Sequence, residues 1–296
     1  MKTNTLITIE NLTKSYALDK KNRMTAVRNV SFEIEKGKIF GLVGESGSGK
    51  TTLARQIMHM EKPDSGKICY RDLELTDRTV YRKNRKEITQ NIQMIFQNPY
   101  ASVNLRHRVD EIIGEPLVIS NGYRKPEGYG DKIDELLTLV GIHPSLKKRF
   151  PREFSGGQLQ RLCVARAMAL NPDFIVADEP VSSLDVSIQA QIVNLFRKLQ
   201  MEKHLTCLFI AHDLSMVHFI SDRIGVMYQG RIVEMADAKE IFTNPLHAYT
   251  QYLVSAIPVP DPQVKSRFIS RESLEDVSET AHWQDCGNNH FVLVNG

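Results

Sequence analysis

The chain has few cysteines and no long apolar run, and each scarcity removes a class of protein. Its four cysteines, Cys69, Cys163, Cys207 and Cys286, lie far apart with no Cys-x-x-Cys pair. That spacing argues against a zinc or iron–sulfur site and against a disulfide framework. Apolar stretches such as Ile39-Phe-Gly-Leu-Val-Gly44 stop well short of the roughly 18 residues needed to cross a bilayer. Met1-Lys-Thr-Asn-Thr5 leads into alternating polar and apolar residues with no apolar signal region. The expectation is a protein that stays on the side of the membrane where it is made. Net charge is small: 38 Lys and Arg against 35 Asp and Glu leave +3, far from a dedicated nucleic-acid binder. From Pro258 onward three basic and six acidic residues give a tail of −3 and a body of +6. A modestly positive body suits an anionic ligand, and solvated surface lysines explain it equally well. The remaining composition, 42% hydrophobic and 25% charged over 296 residues, is that of an ordinary globular protein. No internal repeat is visible.

Periodicity outlines an α/β chain. Ile7, Ile9 and Leu12, then Val30, Phe32 and Ile34, alternate with polar neighbours, so residues 6–36 read as short strands around a polar turn at Leu18–Arg23. Lys38–Val43 is a continuous apolar strand, followed by a Gly-rich loop and a helical pattern over Lys50–Met60. Strands are also expected at Lys67–Tyr70, 91–97, Phe174–Ala177 and Cys207–Ala211, and a hairpin at Arg223–Tyr228 and Arg231–Met235 across Gln229-Gly230. Helices are expected in two pieces within Val109–Val140, split by Asn121–Gly130, and over Gly157–Leu170 and Ser187–Lys203. The amphipathic segment His247–Ile257 runs into Pro258-Val-Pro-Asp-Pro262, a stiff boundary. Beyond it periodicity is weak until His290–Val294.

The strongest chemical signal is Gly44-Glu45-Ser46-Gly47-Ser48-Gly49-Lys50-Thr51, a full G-x4-G-K-[ST] phosphate loop followed by Thr52. Its glycines let successive backbone N–H groups converge on one anion, and the helix N-terminus behind adds its positive end. Lys50 reaches the β- and γ-phosphates, and the Thr51 hydroxyl is offered to Mg²⁺. A dinucleotide fingerprint fits less well, because Gly47-Ser-Gly49-Lys-Thr-Thr52 lacks a third glycine. The second signal is Phe174-Ile-Val-Ala-Asp178-Glu179, a buried strand delivering acids to its C-terminal edge. Asp178 suits a carboxylate that holds Mg²⁺ through water, and Glu179 a general base for an attacking water. An apolar strand ending in Asp-Glu is common on its own, so this reading leans on the phosphate loop. The third is Phe154-Ser155-Gly156-Gly157-Gln158-Leu-Gln-Arg161, readable as a second anion site at a helix N-terminus or as a plain N-cap.

In this order after a phosphate loop, the third string resembles the signature sequence of ATP-binding cassette proteins. Asp185 in Ser182-Ser-Leu-Asp then resembles the family's D-loop, Gln97 in Met94-Ile-Phe-Gln its Q-loop, and His212 in Ile210-Ala-His-Asp its switch histidine. Tyr16 in Leu12-Thr-Lys-Ser-Tyr matches the aromatic that stacks on adenine. All seven elements stand in family order, 111 residues from loop to signature, 23 more to the acidic pair and 34 more to the histidine. The resemblance implies a P-loop NTPase core with a mixed sheet, an antiparallel β subdomain and a helical signature subdomain near 98–170. It implies a nucleotide-binding domain over 1–257 and a C-terminal extension over 258–296. ATP and Mg²⁺ are the implied ligands, with Thr51, Gln97 and Asp178 on the metal and Glu179, His212 and Gln97 in catalysis.

Longer strings narrow the resemblance to ATPase subunits of oligopeptide, dipeptide and nickel importers: Ala26–Phe32, Gln97–Asn104, Phe150–Ser155, Asn244–Tyr252 and Ser255–Pro258. The Asn98-Pro-Tyr100 form resembles the second of the two ATPases such systems often carry. Leu105 departs from the family's usual proline, and a cysteine-rich tail motif is missing, so no bound cluster is expected. The implied partners are transmembrane permeases, a second ATPase in a head-to-tail dimer, and indirectly an extracytoplasmic solute-binding protein, with no nucleic acid. The implied location is the cytoplasmic face of the cell membrane. A segment over roughly 98–117 is expected to touch the membrane partner. A single copy of each motif argues against the two-cassette translation factors, and 111 residues leave no room for the coiled coil of a DNA-repair ATPase. Cargo, and whether the second ATPase is identical or a sibling, stay open.

Overall fold

Alternation of side chains along one short strand organises the core. In Ile39–Val43 every residue is buried; Ile39 and Val43 pack on one face, Phe40 and Leu42 on the other. A strand buried on both faces belongs in the middle of a covered sheet. The computed structural model describes residues 4–17, 19, 22–121, 126–257, 271 and 274–296.

Among the described residues there are two sheets. Strands β1 (Thr5–Ala17), β2 (Arg23–Glu35), β4 (Ser65–Tyr70) and β5 (Leu73–Glu74) form an antiparallel sheet in the order β2-β1-β4-β5. The main sheet contains β3 (Ile39–Val43), β6 (Ile92–Ile95), β7 (Phe174–Asp178), β8 (Thr206–Ala211), β9 (Arg223–Tyr228), β10 (Arg231–Asp237), β11 (His282–Asp285) and β12 (Phe291–Val294). Its order is β11-β12-β10-β9-β3-β8-β7-β6. β3 runs parallel to β8 and β9, and β7 parallel to β6 and β8; the pairings of β9, β10, β12 and β11 in succession are antiparallel, making the sheet mixed. Phe32 of β2 stacks on Phe40 of β3 at 4.7 Å, joining the two sheets.

The helices are α1 (Lys50–Ile57), α2 (Arg78–Asn91), α3 (Pro99–Ser102), α4 (Val109–Asn121), α5 (Gly130–Leu139), α6 (Gly156–Met168), α7 (Val186–Lys203), α8 (Leu214–Ile220), α9 (Ala238–Thr243) and α10 (Ala248–Ser255). Ile112, Ile113 and Leu117 of α4, Ile133, Leu136 and Leu137 of α5, and Leu159, Leu162 and Cys163 of α6 share one apolar cluster, which is the helical layer. This cluster continues under the sheet through Ile175, Ala177, Cys207 and Phe209, while Phe174, Val176, Leu208 and Ile210 face the β1–β2 side. No helix among the described residues is long and apolar enough to cross a membrane.

Several expectations need adjusting. The short strands of residues 6–36 are two strands of 13 residues each, carried through Asn11 and Asn29 in left-handed conformation, where the pairing register shifts. α1 stops at Ile57, three residues before Met60. α2 has no counterpart in the sequence reading, because its surface is polar nearly all round and Ile88 is its one buried residue. α8, α9 and the exposed edge strand β11 are likewise too short or too polar to leave a periodic trace. Half of the Leu18–Arg23 turn, residues 122–125 and the Pro258–Pro262 boundary lie outside the described residues. β12 pairs with β10 and β11 with β12, so these two strands widen the main sheet.

Candidate functional site

The phosphate-loop string leaves the C-terminal end of β3 and closes onto α1, whose N-cap is Gly49 at φ +108°. A Cβ at Gly49 would lie 2.1 Å from the Ala26 carbonyl oxygen, and one at Gly44 2.1 Å from that of Met227. The loop is thus wedged between the two sheets with no room for a side chain at either glycine. Gly49→Ala is expected to combine left-handed strain of about 1–3 kcal/mol with that collision. Thermal unfolding with and without nucleotide should show a lower midpoint and a lost ligand-induced rise; an unchanged pair of midpoints contradicts the assignment.

Lys50 is 3% exposed, and its Nζ donates to the carbonyls of Gly44 (2.7 Å) and Glu45 (2.8 Å), with Ser48 Oγ at 3.4 Å. Burial pushes its ammonium pKa down, against the opposing pull of Glu179, Asp178 and Glu45. The Thr51 hydroxyl donates to Asp178 Oδ1 at 3.2 Å. Asp178, at the end of β7, is 5% exposed; burial raises its carboxyl pKa, and the Thr51 bond works the other way.

Glu179 follows with φ +46°, a conformation unusual for a side chain of this size. Its backbone N–H is held by the Ile210 carbonyl at 3.0 Å, so β8 maintains the turn that swings the carboxylate off the strand axis. Gln97 Nε2, arriving from the end of β6, donates to Glu179 Oε2 at 2.8 Å and reaches Ser182 Oγ at 3.3 Å. His212 Nδ1, arriving from the end of β8, lies 3.8 Å from the same carboxylate oxygen. Three parallel strands therefore deliver an amide, an acid and an imidazole to one point, at the edge where parallel sheets present their ligands.

These groups surround an open cavity of about 520 Å³. Tyr16, Ser46, Gly47, Gly49, Lys50, Thr51, Thr52, Gln97, Glu179 and His212 line it; Gly44, Glu45 and Ser48 back the loop, and Asp178 lies beneath Thr51. Tyr16, in its wall, has its phenol pKa raised by burial and by a hydrogen bond with Glu61. Sequence reasoning missed Arg55, Glu61, Met24 and Ala26, which also line the cavity. Arg55 was findable, four residues after Thr51 on the same helical face; Met24, Ala26 and Glu61 arrive by tertiary folding alone.

Ser155, Gly156, Gly157, Gln158 and Asp185 do not line this cavity. Ser155 Oγ accepts from Gln158 N–H at 3.3 Å while Gln158 Oε1 accepts from Ser155 N–H at 3.0 Å, a reciprocal cap at the start of α6. A Cβ at Gly157 would meet Ile188 of α7 at 2.3 Å, so this glycine is needed for helix packing. Asp185 caps α7, its Oδ1 accepting from Ile188 N–H at 3.0 Å and from the Ser187 hydroxyl at 2.8 Å, which holds its carboxyl below the usual range.

A family profile described as ABC transporter matches residues 27–182, and one described as the C-terminal region of oligopeptide/dipeptide transporters matches residues 233–286. The chain is 46% identical over 297 residues to the oligopeptide transport ATP-binding protein OppF of Bacillus subtilis (strain 168), covering 98% of this chain and 96% of that one. Its identity to OppF of Streptococcus pyogenes serotype M1 is 49% over 294 residues, covering 98% and 95%. Among solved structures it resembles the dimeric post-hydrolysis state of the ATP-binding cassette MJ0796 bound to ADP and Pi. The TM-score is 0.70 and the identity 27%, over 79% of this chain and 99% of that one. The chain belongs to the ABC transporter family, as an ATPase of its oligopeptide/dipeptide branch.

Proposed function

We propose that this chain is an ATP-hydrolysing subunit of an oligopeptide importer, working head to tail with a second ATPase at the cytoplasmic face of the membrane. The observation that carries the reading is the split site. The phosphate loop, acidic pair, Gln97 and His212 surround one cavity, while the signature residues Ser155–Gln158 lie outside it on the same chain. A partner's signature would complete the cavity, and this chain's signature would complete the partner's. The dimeric ADP- and Pi-bound relative supports that arrangement. Permeases, fed by an extracytoplasmic solute-binding protein, complete the transporter, and the oligopeptide relatives support the cargo class.

Within the cavity Tyr16 stacks on the adenine, the loop N–H groups and Lys50 hold the β- and γ-phosphates, and Glu179 takes the proton of the attacking water. Thr51 and Asp178 are oxygen donors already 3.2 Å apart, a hard pair suited to Mg²⁺, with Gln97 as a third ligand. Held there, the ion would neutralise negative charge on the nucleotide's phosphates. In the present geometry the Gln97 amide rests on Glu179 and must leave it to reach the ligand. His212 is exposed and 3.8 Å from Glu179, close enough to orient it or to sense the γ-phosphate. Tyr100, 46% exposed on α3 beyond Gln97, belongs to the 98–117 surface that meets the permease.

The test is Ser155→Arg. ATP affinity of this chain alone should stay within about twofold, while hydrolysis by the assembled transporter falls at least about tenfold. A loss of affinity in the isolated chain would put Ser155 in its own site and sink the head-to-tail reading.

A further inference from the structure

The polar groups of one peptide unit in the phosphate loop are held from opposite sides. The Gly44 carbonyl accepts from Lys50 Nζ at 2.7 Å, and the N–H of the same unit, on Glu45, donates to the Tyr249 hydroxyl at 2.8 Å. Because a peptide unit is planar, whatever fixes its N–H also fixes the direction of its C=O. Tyr249 thereby sets where the Lys50 ammonium sits, although it lies about two hundred residues away and does not line the cavity. Its side chain is completely buried and stacks on Tyr228 at 4.2 Å. Burial pushes its phenol pKa far above neutral, so the hydroxyl persists at any working pH.

The start of α10, which carries Tyr249, is tied in turn to the C-terminal strands. Glu234 of β10 is fully buried, and its carboxylate accepts from the N–H groups of Leu246 and His247, both at 2.9 Å. Its third bond, at 2.7 Å, comes from His290 Nε2, 3% exposed and immediately before β12. His247 then caps α10, its Nδ1 accepting from Tyr249 N–H at 3.1 Å; burial lowers this imidazole's pKa and keeps that nitrogen free to accept. A second route reaches the same loop independently. Asp276 Oδ1 accepts from Gln229 Nε2 at 2.5 Å, and the next residue, Gly230, donates its N–H to the Ser48 carbonyl at 3.0 Å.

We propose that Tyr249 is a positioning residue for Lys50 and that the His290–Glu234 pair, through the start of α10, lets the C-terminal segment set the tightness of nucleotide binding. The proposal rests on the reading of the cavity as an ATP site. Breaking the pair loosens the phosphate grip without touching the hydrolytic groups.

The experiment measures MgATP binding and steady-state hydrolysis on the full-length chain. Tyr249→Phe keeps the ring and its stack on Tyr228 but strands the Glu45 N–H. Kd and KM for ATP are expected to rise about five- to tenfold, with kcat at saturation falling by less than twofold. His290→Ala should weaken binding in the same direction by a smaller factor, and His290→Gln, which keeps a donor for Glu234, should restore it. The Tyr249→Phe, His290→Ala double variant should bind no more weakly than Tyr249→Phe alone, because both act through one element. Wild-type affinity in Tyr249→Phe, with binding lost in Lys50→Ala, overturns the positioning role and leaves the ATP site standing. Affinity retained in Lys50→Ala overturns the ATP site itself. Factors that multiply in the double variant overturn the route from His290 and Glu234 through the start of α10.

Discussion

Glu179→Gln is expected to lower ATP turnover about 10²- to 10⁴-fold, the range a positioned general base contributes, while ATP still binds. The substitution is nearly isosteric, and the Gln97 amide still finds an oxygen acceptor at the 2.8 Å position. What disappears is the basic oxygen. Lys50, Thr51 and the loop keep their bonds, so the triphosphate is gripped but not cleaved. Closure held by that charge then has no release. Shifting a two-state assembly from 1:99 to 99:1 takes about 5.5 kcal/mol, within reach of two sets of charge-assisted phosphate bonds. Steady-state hydrolysis together with light scattering in ATP should show a nearly inactive, ATP-stabilised dimer. Undiminished turnover would remove Glu179 as the base and leave His212, 3.8 Å away, as the remaining candidate.

Lys50→Ala acts one step earlier. The side chain is 3% exposed and supplies the positive charge facing Asp178, Glu179 and Glu45. Its removal leaves the Gly44 and Glu45 carbonyls without their ammonium donor and an acidic floor opposite an incoming polyphosphate. Loss of hydrogen bonds to a charged group costs about 1.5–3 kcal/mol, so ATP affinity should fall at least about tenfold. Thermal unfolding gives a direct readout: nucleotide raises the midpoint of the parent by mass action, and that rise should vanish in the variant. An undiminished rise would mean that the phosphate loop does not hold phosphate.

Much of the fold was legible because burial leaves a period. β3, β7 and β8 are apolar throughout, since each is covered on both faces, and the amphipathic stretches of α4, α5 and α7 mark the helical layer. α2 was invisible for the opposite reason: it buries only Ile88, so its sequence carries no face. The two long strands β1 and β2 read as fragments because the asparagines at 11 and 29 interrupt the alternation where the register shifts.

The candidate site divides along the same line. Residue order made the phosphate loop legible, because closely spaced glycines before a lysine have few structural alternatives; the reading of Asp178-Glu179 leaned on that loop, and Gln97 and His212 entered only through the family resemblance. Only the tertiary structure decided that the signature at the start of α6 lies outside the cavity its own chain forms. It alone placed Tyr249 behind the Gly44–Glu45 peptide, and Glu234 between β12 and α10. Local patterns report what a segment buries or how it turns; which distant groups then share a hydrogen bond is fixed by sheet order and helix packing, and these arise from the whole chain.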